Sequence, residues 1–171
     1  MIVCETGRLR LRHLTQADAA FILELLNEPD FIRNIGDREV RTTDDARRYI
    51  EHGPIASYNQ HGYGLLLVEL QDSGAPIGIC GLLKRDYLDD VDVGFALRES
   101  FRGQGYAFEA ASAVLQLGKQ SLGLGRIVAL TSPDNLASMS VLRRLGLEFE
   151  RTIRIPDQSR DTLLFTPKAG S

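Results

Sequence analysis

The chain is poor in the residues from which disulfide frameworks, metal sites and histidine-based catalytic groups are made. Its 171 residues include two cysteines and three histidines. Cys4 and Cys80 are too few and too isolated for a disulfide framework or a zinc site. His13, His52 and His61 fall in separate segments, with no serine, cysteine or ligand partner at motif spacing, so no metal is expected. Basic charge is not in excess either. Lys and Arg number 20 against 23 Asp and Glu, a net charge of -3 that argues against a broad nucleic-acid surface. No apolar run is long enough to cross a bilayer, and Met1–Thr6 holds no signal-peptide core. The expectation is a protein of the reducing cytoplasm with no membrane or nucleic-acid partner. No repeat, low-complexity tract or Pro/Ser linker divides the sequence, so a single domain over residues 1–171 is expected.

What is present has clear periods. Arg8 to Arg12 alternates basic and apolar residues, the pattern of a half-buried strand. Thr15 with Asp18, and Thr42 with Asp45, place a capping threonine three residues before an acid, each pair opening a helix. Apolar strands are predicted over 64–70, 76–83 and 91–97, the first two joined by hairpin chemistry at Asp72–Ala75. Helical spacing of Ala107, Ala110, Ala111, Val114 and Leu115 predicts a helix from near Gly105 that fades by Gly123. A short strand over 127–131 follows, then a helix from about Asp134 that Gly146 ends, then closing strands over 149–155 and 162–165. Strands first paired by hairpins and then joined by helical crossovers predict a mixed α/β sheet.

Chemistry concentrates in Val91 to Ala107, where a buried strand runs through a glycine loop into a helix. The free N–H groups of such a helix start attract anions. Gly103 and Gly105 have no Cβ to keep a phosphate from the backbone. It is not a Walker A loop, because Tyr106-Ala107 stands where Lys-Ser/Thr is required. Nor is it a dinucleotide fingerprint, because Phe108 stands in place of the third glycine. Two glycines alone are equally consistent with a plain tight turn.

The wider pattern is more specific. Arg102-Gly103-Gln104-Gly105-Tyr106-Ala107 resembles the Arg/Gln-x-x-Gly-x-Gly/Ala signature of the GNAT superfamily of N-acetyltransferases. Asn135-Leu136-Ala137-Ser138, followed by Leu145-Gly146-Leu147, resembles that family's second element. Thr6 to Arg12 with Thr15 and Asp18, and the run Gly103 to Ala110, are similar to the RimJ/RimL-like branch that acetylates ribosomal-protein N-termini. The resemblance covers Thr6 to about Phe165. It implies a GNAT fold, a mostly antiparallel sheet with one splayed parallel pair flanked by helices. It also implies acetyl-CoA as co-substrate and an amine acceptor as partner, protein N-terminus or small molecule, and it leaves a homodimer open.

The resemblance also implies roles. The pantetheine arm pairs with the backbone of Phe95, Ala96 and Leu97, and the pyrophosphate rests on the N–H groups of Arg102, Gly103, Gln104, Gly105, Tyr106 and Ala107, with the Arg102 side chain adding charge. Asn135 caps its helix or holds the arm. Asp92 stands where many members carry a glutamate, and as a base it can take the amine's proton through water; the bland alternative is one solvated acidic loop with Asp89 and Asp90. Many members donate a proton to the leaving thiolate from a tyrosine seven residues after the asparagine. Leu142 stands there, which leaves Ser138 as the candidate donor. Glu109 is expected to order the loop and Asp157 to serve a turn; Arg33, Arg38 and Arg41 are expected to be exposed arginines of a solvated loop, with a part in choosing the acceptor as the alternative. Two rival functions stay open: an acyl-CoA sensor without turnover, and a transferase of another acyl group such as succinyl.

Overall fold

The alternating basic and apolar residues near the amino terminus show how this sequence builds a sheet. In the computed structural model, which describes residues 1–169, they form strand β2 (Leu9–His13) beside β1 (Ile2–Glu5). Leu9 and Leu11 enter the core on one face. Arg10 and Arg12 emerge on the other and share Glu69, each at 3.2 Å, while Arg12 also holds Asp18 at 2.9 Å.

Eight strands follow the order β1-β2-β3-β4-β5-β6-β8-β7. The remaining six are β3 (Leu65–Leu70), β4 (Pro76–Leu83), β5 (Val91–Leu97), β6 (Ile127–Thr131), β7 (Leu147–Arg154) and β8 (Asp161–Pro167). All neighbours are antiparallel except β5 and β6. The result is a mixed α/β fold with one mostly antiparallel sheet, as the sequence predicts.

Helices cover both faces. On one lie α5 (Tyr106–Gln120) and α6 (Leu136–Arg144), burying Ala110, Ala111, Val114, Met139 and Leu142 against Leu66, Val68, Cys80 and Val93. On the other lie α1 (Ala19–Leu26), α2 (Pro29–Asn34) and α3 (Thr43–Ile50), packing Phe21, Ile22, Leu25, Phe31 and Ile50 onto Leu67 and Ile79. Thr15 and Thr42 both form the expected capping boxes. The chain then continues through a wide π-type turn containing Pro54 into α4 (Ala56–His61). No helix is long and apolar enough to cross a membrane among the described residues. The last two residues of the expected domain, 170 and 171, lie outside the described part.

Two features position the site. The parallel pair β5–β6 holds together only at Val91–Ile127 and Asp92–Val128. Beyond those rungs β5 follows β4 as far as Leu97, while β6 follows β8 from Ala129 to Thr131, so the two strands part. A short 3₁₀ turn, Glu99–Phe101, then leads from β5 through the glycine loop into α5.

Candidate active site

The glycine loop leaves its donors free. Gly103 and Gly105 take left-handed φ values of 75° and 84°, and Gly105, as the residue capping α5, has no side chain to accept from the helix start. Glu109 is the first helical N–H to find a carbonyl, Gly105 O at 3.1 Å. Ahead of it, the N–H groups of residues 103–108 donate to no acceptor among the described residues. A helix start with its donors unsatisfied and its dipole pointing outward is an anion site.

The edge of β5 continues that surface. Arg98 N donates to Ile77 O at 2.8 Å, and the alternation of an antiparallel ladder then turns the backbone of Ala96 and Gly94 toward β4. Phe95 and Leu97 therefore present their backbone toward the gap. Leu97 O is already engaged by Arg102, at 3.1 Å from Nε and 3.0 Å from Nη2, so the free groups are those of Phe95 and the Leu97 N–H. The backbone of Ala96, expected from the sequence to take part, is spent on the ladder.

These groups line a cleft of about 600 Å³, bounded by Phe95, Gly105, Ala107, Asn135 and Ser138 among others. Asn135 caps α6, its Oδ1 accepting from Ser138 N at 3.1 Å. The Ser138 hydroxyl makes no hydrogen bond back to its own helix among the described residues. Leu142 is 1% exposed, belongs to the core and does not line the cleft. The residues that α6 does turn to the cleft are Ala137, Ser138, Ser140, Val141 and Arg144.

Across the β5 edge lies a second cleft of about 160 Å³, which shares Phe31, Asn34, Ile35, Phe95 and Ala96 with the first. Asp92 lines it and is 1% exposed, with Arg85 Nε at 2.8 Å and Nη2 at 3.3 Å from its two oxygens. This corrects the solvated reading: Asp89 and Asp90 sit in the turn, but Asp92 is inside the strand. Burial pushes its carboxyl above the ordinary value, although Arg85 pulls the other way. Thr131 also lines this cleft, 7% exposed, and its Oγ1 has no hydrogen-bond partner among the described residues.

Several side chains take other duties than the sequence suggests. The Arg102 guanidinium does not add charge to the loop. Asp30 at 2.5 Å, Glu28 at 3.0 Å and Leu97 O hold it, tying the loop to α2. Glu109 does order the loop region, taking Thr6 Oγ1 at 2.5 Å and Arg8 Nε at 2.7 Å. Burial pushes its carboxyl up, but the bonds from Thr6 and Arg8 outweigh that and hold it below the ordinary value. Arg8 was not anticipated. It lies 4.2 Å over the Tyr106 ring and donates to Gln104 O at 3.1 Å. Arg144 was missed as well; it lines the first cleft, 4.0 Å over the Phe108 ring. A basic residue in the last turn of α6 was the only available signal. Asp157 sits exposed in the β7–β8 turn at φ 66° and lines neither cleft, although Ile155 and Gln158 beside it line the smaller one.

Comparison with known proteins identifies the family and fold that this chain resembles. A family model described as an acetyltransferase (GNAT) domain matches residues 8–148. The uncharacterised protein YkkB of Bacillus subtilis is 31% identical over 154 residues, 87% of each chain. An acetyltransferase from Agrobacterium tumefaciens superposes with a TM-score of 0.82 at 26% identity, covering 98% of this chain and 94% of that one. The ribosomal L7/L12 alpha-N-protein acetyltransferase RimL, in complex with coenzyme A, superposes at 0.82 with 19% identity over 97% of both chains, a likeness of fold alone.

Proposed function

Because the chain belongs to the GNAT acetyltransferase family, we propose that it moves the acetyl group of acetyl-CoA directly to a primary amine within a ternary complex. The observation that carries this reading is the run of unsatisfied N–H groups at 103–108, placed where β5 and β6 part. A diphosphate fits those donors, and an extended amide arm fits the free backbone groups of Phe95 and Leu97. The thioester then lies at the wall that the two clefts share, and the smaller cleft holds the amine.

In this reading the chain does three things. Backbone donors bind and orient the acyl donor. Asp92, with its affinity for protons raised by burial, takes the ammonium proton through water. Ser138 donates to the sulfur as the N–C bond forms and the C–S bond breaks, and regains a proton from the attacking nitrogen through water, so that coenzyme A leaves as the thiol and the amide is neutral. An N-terminal α-amine, with a pKa of about 7.7 to 8.0, needs less help than a lysine near 10.4. Membership in the RimJ/RimL-like branch rests on Thr6–Arg12 with Thr15 and Asp18, and on Gly103–Ala110. A cytoplasmic location goes with the use of acetyl-CoA and with two free cysteines.

The test is calorimetry with acetyl-CoA, succinyl-CoA and CoA, followed by thiol release against a broad panel of amines. Acetyl-CoA should bind and release thiol only when an acceptor is present. Binding without release for any amine would leave a sensor. A preference for succinyl-CoA would change the donor.

A further inference from the structure

Building on the acyl-transfer reading, we propose that the acceptor is a small amine that also carries an anionic group, a carboxylate above all, bound by Arg38 and Arg160. The smaller cleft has unbalanced charge. Its carboxylate, Asp92, is matched by Arg85 at 2.8 Å. Its other two charged side chains are Arg38 and Arg160, and neither has a carboxylate partner among the described residues. Nearby arginines differ: Arg33 is paired with Asp30 at 2.7 Å and Arg41 with Asp37 at 2.5 Å.

The two free guanidiniums converge. Arg38 Nη1 and Arg160 Nη2 lie 3.6 and 3.7 Å from the point where Gly36 would carry a Cβ. Arg160 is held there by its bond to the Arg33 carbonyl, and Gly36, at φ 130°, keeps the spot open. Two like charges facing one space repel each other. An anion between them removes that repulsion and accepts charge-assisted hydrogen bonds from both. A polycation such as spermidine meets the same charges with no free carboxylate to offset them.

Thr131 supplies a separate pointer. Its hydroxyl is buried against the same cleft with no partner, and buried polar groups in folded proteins are nearly always paired. A polar ligand would satisfy it. With the amine at the wall shared by the two clefts and the anion beside Gly36, one small acceptor uses both ends. The transfer itself is unchanged: the N–C bond forms as C–S breaks, the amine gives up one proton, coenzyme A leaves as the thiol, and the anionic group takes no part.

The experiment measures acetyl-CoA thiol release with a set of amino acids, each beside its carboxamide, and with spermidine. The preferred acid should exceed its amide in kcat/KM by about 10- to 100-fold. Arg38→Ala and Arg160→Ala should each pull that ratio toward one, chiefly through KM. Lys119→Ala, on the exposed side of α5, should keep it. Equal use of acid and amide, a preference for spermidine, or a ratio untouched by both arginine variants overturns the assignment. If calorimetry shows acetyl-CoA bound and no acceptor releases thiol, the acyl-transfer reading fails and takes this one with it. Turnover without acid preference defeats this one alone.

Discussion

A serine hydroxyl on a helix can fold back onto its own backbone, and among the described residues Ser138 does not. Its hydroxyl borders the larger cleft while Asn135 takes up its N–H. If it donates to the sulfur, Ser138→Ala should lower kcat and leave acetyl-CoA affinity nearly unchanged, as expected for a contact made in the transition state. Steady-state kinetics beside calorimetry checks this; wild-type turnover would return the proton to water. Asp92 can be tested through pH. Asp92→Asn should reduce the rate by about 10²- to 10⁴-fold where the amine is mostly ammonium, and recover as pH rises and free amine accumulates. A pH–rate profile superimposable on wild type would make the Arg85–Asp92 pair purely structural. The raised carboxyl also has a stability sign. A group that favours its protonated form in the fold adds stability at low pH, and that contribution is lost as pH climbs through its folded value.

The element that matters most is the turn from β5 into α5. Gly105 holds a left-handed φ and caps the helix without a side chain, so a substitution there strains the backbone and fills the anion site together. Gly105→Glu should weaken acetyl-CoA binding severely, read by calorimetry on a variant whose circular dichroism matches wild type; unchanged affinity would move the diphosphate elsewhere. This element was legible in the sequence because backbone conformation dictates glycine locally. Strands β4, β5 and β6 were legible too, each a short apolar run between polar turns. β1 was not, since four half-exposed residues carry no period. Helix α2 buries only Phe31, too little for an apolar period, and only Pro29 and Asp30 signal its start. Helix α4 has no fully buried residue and follows a Gly-Pro break. The Asp92–Arg85 pair depends on the hairpin between β4 and β5, and Arg38 meets Arg160 only through tertiary folding. Neither follows from sequence spacing.

For the whole molecule, the larger cleft is bounded by residues from distant parts of the chain: Phe31 and Asn34 of α2, Phe95 of β5, Tyr106 of α5, Ser138 of α6. A substrate that touches all of them binds the folded state alone. At about 100 times its Kd such a ligand adds about 2.7 kcal/mol, which in a chain of this size should raise the melting temperature by roughly 5–10 °C. Differential scanning fluorimetry with acetyl-CoA measures this, and a flat response would speak against a site of that extent.

The meagre seam between β5 and β6 has one more consequence. Residues up to Gln120 build five strands and five helices, and residues from Ile127 build the other three strands and α6. Two sheet rungs, the bond from Arg160 to the Arg33 carbonyl and side-chain packing sew these consecutive segments together, with Arg126 of the connecting loop paired to Asp90. Such a chain is suited to being cut: two fragments divided within 121–126 should reassemble more readily when acetyl-CoA is present, because the cleft proposed to hold it draws its lining from both sides of the seam, and a ligand there would act as a further stitch.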